Sequence, residues 1–155
     1  MIKTKVACCA ALLFSTLAHA TITLIPVTSP EFGLILSGAS GRQFILGTNG
    51  SITGTHSADH ISGQSAGHIT VRDTTAPVTI EILANNIMTS GGLTVNEVLC
   101  SYNAGEQKQC DGTALVVLAS VENASLKLGL DISTNQVHSG GDTASVTMDI
   151  NVTYQ

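Results

Sequence analysis

The sequence predicts an all-β protein, an antiparallel β-sandwich of about eight strands. Apolar and polar residues alternate with a period of two in several segments, as in strands with one buried and one solvated face. Clusters rich in Gly, Ser, Asn and Asp separate these segments, which is typical of a sandwich or barrel. Sustained helical periodicity is absent from the sequence.

The first twenty residues predict a cleavable secretory signal peptide. Lys3 and Lys5 precede an apolar stretch, Val6–Leu17, and Ala18-His19-Ala20 follows as an A-x-A cleavage site. The stretch is shorter than the ~20 residues that span a bilayer, so no membrane insertion of the mature chain is expected. Cleavage after Ala20 predicts an exported bacterial protein of the periplasm, the cell surface or the extracellular space.

Residues 21–155 are predicted to form a single domain, long enough to bury a substantial core. Charged residues make up 11% of the chain and aromatic residues 3%, so Val, Ile and Leu must supply the core. After Ala20, four basic and eleven acidic residues give a net charge of −7. Scattered cations on an acidic chain argue against nucleic acid as a partner and against binding to anionic lipid.

Eight segments are strand candidates, and the C-terminal one alternates most regularly. The segment Ala114–Ala119 is apolar on both faces, which favours a central strand. The span Gly50–Gly67 is the least patterned and is predicted to be a loop or a short edge excursion. The candidates, in chain order, are Phe32–Leu36, Arg42–Leu46, His68–Arg72, Val78–Ile82, Leu93–Leu99, Ala114–Ala119, Leu126–Ser133 and Val146–Tyr154.

Two cysteines follow the cleavage site, Cys100 and Cys110. In an exported domain they most simply form one disulfide, and closing so short a loop should contribute roughly 2–3 kcal/mol at most. A metal site is the alternative. It is disfavoured because no His lies between Leu99 and Val137, and we expect no cofactor.

One catalytic signature matches literally, since Gly63–Gly67 reads G-x-S-x-G with Ser65 as the nucleophile. That motif requires a turn from a strand into a helix, whereas a β-pattern follows here. Asp131 and His138 fall in the chain order of a catalytic triad, but chance matches are expected in a chain with 15 Gly. We predict that the protein is not an enzyme, and a hydrolase using Ser65 is a distant alternative.

A small cluster of His56, Asp59 and His60 is the best candidate for a cation site. A zinc site usually has three or four protein ligands, and a further ligand at suitable spacing is missing. Solvated loop residues are the simpler interpretation.

An exposed alternating strand can pair with a strand of another chain. The candidate strand-pairing edge is formed by Val146, Met148, Ile150, Val152 and Tyr154, and pairing within its own sheet is the default alternative.

The segments Ser125–Ile132 and Val146–Tyr154, together with Phe32-Gly33 near the start, resemble bacterial secreted proteins of domain-of-unknown-function family 4402. The similarity covers most of residues 31–155. The Cys100–Cys110 pair is not part of that pattern. The resemblance implies fold and compartment rather than activity. The segments that carry it are Ser125–Ile132, Ser139-Gly140-Gly141, Val146–Tyr154, Phe32-Gly33, and Gly67–Arg72 followed by Val78–Ile82.

The same ending is similar to fimbrial subunits of the chaperone–usher type, which often finish with an alternating strand and a penultimate aromatic residue, here Tyr154. That resemblance implies an immunoglobulin-like sandwich of Greek-key type that is completed by a neighbour's N-terminal strand. Two features depart from it. These cysteines are only ten positions apart, and the would-be donor segment Thr21–Val27 loses its alternation at Ile25 and Pro26.

Three functional hypotheses follow. The favoured one is a structural, pilin-like subunit of a surface assembly, which associates with itself or with another surface protein through strand addition. The second is a monomeric periplasmic or secreted binding module that uses the Gly50–Gly67 loop. The third is the hydrolase.

Overall fold

The structure is a computed structural model that describes residues 21–36, 38–74, 77–119, 123–139 and 142–155. The predicted signal peptide and its cleavage site at Ala20 lie outside the described residues. All eight predicted strand segments contain a strand, and four more strands are added to them. In chain order the strands are β1 (Ile22–Thr28), β2 (Leu34–Ile35), β3 (Gln43–Leu46), β4 (Ile52–Thr53), β5 (His60–Ser62), β6 (Gly67–Asp73), β7 (Thr79–Ser90), β8 (Leu93–Tyr102), β9 (Lys108–Gln109), β10 (Leu115–Leu118), β11 (Ala124–Thr134) and β12 (Ser145–Tyr154).

The strands form two main antiparallel sheets, and the prediction of an all-β sandwich is confirmed. In the first sheet β11 is central, because Leu126 pairs with Ile69 of β6 on one side and with Tyr102 of β8 on the other. β1 lies beyond β6, and β9 beyond β8. β3, followed by β4, continues along the same side of β11 as β6. The second sheet has the order β10-β7-β12.

This order corresponds to an immunoglobulin-like sandwich, in which strands A, B, E and D form one sheet and C, F and G the other. Here β1, β6, β11 and β8 take the A, B, E and D positions, and β7 and β12 take C and F. The small β2–β5 sheet and the β3–β4 pair are inserted between A and B. Within the described residues, no strand occupies the G position beside β12.

The core lies between the two sheets and consists of the inward-facing, alternate residues of their strands. Ile80 and Ile82 of β7 are fully buried, and so are Val71 of β6, Leu126 of β11 and Phe44 of β3. Aliphatic side chains supply most of this core, as the composition predicts, and the hydrophobic effect of burying them drives the two sheets together.

Two asparagines create bulges that shape the long strands. Asn86 is the extra residue of β7 opposite β12, has a φ of 47° and donates from Nδ2 to Asp149 Oδ2 at 2.6 Å. Asn96 is the extra residue of β8 opposite β11 and donates to Asp131 Oδ1 at 2.9 Å. Asn tolerates the left-handed backbone better than most residues, and a bulge increases the local twist of its strand. Because the extra residue lies in β7, β12 keeps an unbroken alternation.

The predicted disulfide is present. Cys100 and Cys110 have Cα atoms 5.8 Å apart, and both residues are fully buried. The Cys110 N–H donates to the Val98 carbonyl in the first sheet, and its carbonyl accepts from the Ala84 N–H in the second. The disulfide therefore lies where the chain passes from one sheet to the other, and it is compatible with an exported protein.

Two of the sequence predictions need correction or refinement. The segment Ala114–Ala119 is not a central strand, because β10 pairs only with β7 and leaves Val116 48% and Leu118 65% exposed. Its second apolar face lies on the outside of the sheet rather than in the core. Of the two alternatives for the span Gly50–Gly67, a loop or a short edge excursion, the structure matches the second. The span contains β4 at an edge of the first sheet, a 3₁₀ turn at Ser57–Asp59, and β5.

Candidate functional site

The most distinctive surface of the described chain is the second edge of β12. The Gln155 N–H donates to the Thr79 carbonyl at 3.1 Å, which fixes which residues of β12 face β7. In an antiparallel ladder such residues alternate. The N–H and C=O groups of Asn151 and Thr153 therefore point toward β7, and those of Ile150 and Val152 point toward the open edge.

The same alternation determines which side chains of β12 face the core. The even-numbered residues of β12 face the core, yet Val146, Met148, Ile150 and Val152 are only half-buried. Ile80 and Ile82 on the neighbouring β7 are fully buried. The core is therefore incompletely covered along β12, at the position that strand G fills in a complete immunoglobulin-like sandwich.

A groove runs along this edge between β12 and the β1 side of the first sheet, and we call it the β12 groove. Its narrow part has a volume of about 300 Å³. Pro26 and Thr28 form one wall, Met148 and Ile150 form the other, and Ile69 lies between them. Most of these groups are apolar, so an extended segment with apolar side chains at alternate positions matches the groove.

Beyond Val146 the groove widens into a cavity of about 660 Å³ at the end of the sandwich. Its walls come from the insertion, with Phe32 and Ile35, and from Leu93 and Val146. Phe44 lies at its base. Pro30 and Val146 line both parts, so the two cavities are adjacent along one surface.

Arg42 holds one wall of the wide part in place. Its Nη1 atom lies 3.2 Å from Asp59 Oδ2 and donates to the Leu36 carbonyl at 3.1 Å. The guanidinium therefore links β3 to the segment after β2. Because these two contacts join separate segments at the cavity wall, we assign Arg42 a structural role there.

His138 is the other polar side chain of interest in the wide part. Its Nδ1 atom lies 4.0 Å from Asp142 Oδ2, which also accepts the Ser139 N–H at 2.7 Å. Its Nε2 atom is buried and has no hydrogen-bond partner among the described residues. A polar group of a segment lying in the cavity would complete the hydrogen bonding of this imidazole.

Beyond the opposite end of the groove, a side-chain contact joins the two sheets. The Tyr154 hydroxyl donates to Asp73 Oδ1 at 3.0 Å. Asp73 is the last residue of β6, is 1% exposed and pairs with Ile22 of β1. Tyr154 therefore reaches across from β12 to the β1–β6 side, and we call this contact the Tyr154–Asp73 bridge.

The structure does not assemble the catalytic signature into a nucleophile elbow. Ser65 forms backbone hydrogen bonds with Glu31 in both directions, and β6 begins at Gly67 where the motif requires a helix. Asp131 accepts hydrogen bonds from Gln43 and Asn96 on the outer face of the first sheet. Whether the protein is an enzyme stays a prediction, but this geometry does not supply the hydrolase alternative with its required turn.

The three residues of the candidate cation cluster each bond to a different partner. Asp59 pairs with Arg42, His56 Nδ1 accepts the Gln43 N–H at 3.3 Å, and His60 Nε2 lies 2.9 Å from the Phe32 carbonyl. No group of three His, Cys, Asp or Glu side chains in the described part of the chain is arranged to hold a metal ion. These residues fix the insertion against β3.

The segment Thr21–Val27, considered above as a donor strand, lies largely within β1 and pairs with β6 of its own chain from Ile22 to Thr28. The register shifts between Pro26 and Thr28, which is where the sequence loses its alternation. The sequence did not reveal the walls of the groove. They come from distant segments, and no local pattern marks a cavity between them.

Comparison with known proteins gives no match: no family model, no curated protein and no solved structure corresponds to this chain. In the described ranges, no helix has the length and apolar character needed to cross a bilayer.

Proposed function

We propose that the protein is an exported structural subunit of a pilin-like or other surface assembly, and that β12 accepts a strand from another subunit. One observation carries this proposal. The edge of β12 that bears the outward N–H and C=O groups of Ile150 and Val152 runs beside an open apolar groove at the G position.

Strand addition uses both the main-chain groups of the β12 edge and the apolar groove beside it. The main chain of an added strand bonds to the open edge, and its alternate side chains enter the groove. An uncovered edge strand is also an aggregation hazard that proteins normally block with charge, proline or short length. β12 is ten residues long, and its only charged residue is Asp149, which is bonded to Asn86. The edge therefore lacks the free charge, proline and short length that block pairing, and it is suited to accept another strand.

The chain's own first strand is not positioned to fill the groove. β1 already pairs with β6 through Ile22, Leu24 and Pro26. We assign the added strand to another subunit. The sparse charge of the chain, 11% of residues, and the disulfide suit a subunit packed against neighbours outside the cytoplasm.

The substitution Ile150→Pro tests this proposal. Proline removes an N–H that points to the open edge, so the β12–β7 ladder is retained while an added strand loses a hydrogen bond. We expect SDS-resistant, high-mass species from the exporting bacterium to fall by at least about tenfold, the effect of losing one backbone hydrogen bond at a buried edge. The measurement is the mass distribution of surface material on unheated SDS gels.

Val116→Pro is the matched control. Val116 lies on β10, the opposite edge strand of the same sheet, and its N–H also points away from β7, because the Ala119 N–H donates to Val78. We expect this variant to assemble as the parent does, with both variants folded by circular dichroism. Equal assembly of the Ile150→Pro variant and the parent contradicts the proposal.

The wide part of the groove supports a second candidate, the binding module. Its volume of about 660 Å³ lies in the range of small-molecule sites. Leu34 and Ile35 of β2 line it, and β5 pairs with β2. The two functions predict different assembly states for the protein. A binding module is monomeric at high concentration by size-exclusion chromatography, loses its ligand when Gly50–Gly67 is replaced, and is indifferent to Ile150→Pro.

A further inference from the structure

The two ends of the β12 groove differ, and the difference matters for any strand that enters it. The wide cavity adjoins the groove at Val146. The Tyr154–Asp73 bridge crosses between the sheets at the far end. A strand lying along β12 can extend beyond Val146, but it meets the Tyr154 ring at the other end.

We propose that Tyr154 is a positioning residue that sets the register of the added strand, and this inference rests on the proposed function. The occupant is an extended segment of a partner subunit with apolar side chains at alternate positions. Its inward side chains lie against Ile150 and Val146, and it ends before the Tyr154–Asp73 bridge. Without this stop, a strand of regular alternation has several equivalent positions along β12.

The physical reason is the period of the β-strand. A shift of one residue moves every inward side chain to the outer face, so it is disfavoured wherever one face is buried. A shift of two residues restores the pattern of apolar side chains and keeps every main-chain hydrogen bond except those at the end. Alternation therefore excludes odd shifts, and a physical block is needed to exclude even ones.

Tyr154 is well placed to supply that block. It follows Val152 on the inward side of β12, and its hydroxyl is held by a carboxylate that is almost completely buried. Asp73 lies at the end of β6 opposite Ile22, so the ring is fixed against the first sheet rather than free to swing into solvent. At the wide end, the backbone groups of Gly38 and His138 bond to each other in both directions. That contact joins the insertion to the segment before β12 and involves no side chain of β12 itself.

Disulfide mapping of the register tests this inference. Asn151→Cys provides one exposed thiol beside the edge, because Cys100 and Cys110 are buried in their disulfide. The probes are synthetic ten-residue peptides with Val at alternate positions and Thr between them, each with one Thr replaced by Cys. With Tyr154 present, we expect one peptide position to dominate the cross-linked product.

In the Tyr154→Phe background the ring stays but its bond to Asp73 is lost, and we expect cross-links to spread to positions two residues apart. Asp73→Asn keeps an oxygen that accepts from Tyr154, so the single register is expected to persist. A single unchanged register in Tyr154→Phe overturns the positioning role while leaving strand addition intact. Failure of every peptide to cross-link with the Tyr154 parent overturns the proposed function, and the inference with it.

Discussion

Removal of the disulfide by Cys100→Ala with Cys110→Ala is expected to destabilise the protein by about 2–5 kcal/mol. The cross-link lowers the conformational entropy of the unfolded chain. Both cysteines are also fully buried between the sheets. Cys110 lies at the crossing where it bonds to Val98 in one sheet and Ala84 in the other. Loosening this crossing weakens the contact between the sheets as well as the loop. Urea unfolding followed by circular dichroism measures the loss.

Comparing the oxidised and reduced wild-type proteins separates the cross-link from side-chain packing. Reduction keeps both sulfur atoms and removes only the covalent bond, so its effect is expected to be smaller than that of the double alanine variant. Truncation adds the cost of lost contacts in the core. A double variant within about 0.5 kcal/mol of the oxidised protein, the range of an ordinary surface substitution, would contradict the structural role assigned to this disulfide.

Phe44→Ala is expected to cost about 3–5 kcal/mol, the range for truncating a buried aromatic residue. Phe44 is 0% exposed, pairs with Ile132 of β11 and lies at the base of the wide cavity. It supports the insertion whose wall is held by Arg42. Urea unfolding gives the loss of stability.

Phe44→Leu is the matched control, because it keeps an apolar side chain at the base of the cavity. We expect it to lose less than half as much stability as Phe44→Ala, since a smaller void remains. If Phe44→Ala lost no more stability than Phe44→Leu, the packing described for this end of the core would be wrong.

The strand pattern was predictable because burial on one face of a strand leaves a local signature. The alternation of Val146–Tyr154 predicts β12 almost to its ends, and two cysteines in a chain with a predicted signal peptide predict the disulfide. Both depend on residues close in sequence. The pairing partner of β12, and the finding that no described strand covers its second edge, depend on strands far away in the chain.

Two elements show where local patterns fail. β1 loses its alternation at a bulge near Pro26. Its sequence therefore gives only a weak strand signal, although β1 pairs with β6 along its length. β10 has apolar residues on both faces, which resembles a central strand, yet Leu118 projects from the outside of an edge strand. The groove is harder still to predict from the sequence, because Pro26, Ile69 and Met148 come together only in the folded chain.

Amide hydrogen exchange reports directly on whether β12 has an open edge that a partner strand covers. In the isolated monomer, the amides of Ile150 and Val152 should exchange much faster than those of Asn151 and Thr153, which pair with β7. In assembled material all four should be protected. If Ile150 and Val152 were as protected as their neighbours in the monomer, or stayed unprotected in the assembly, the account of this edge would be contradicted.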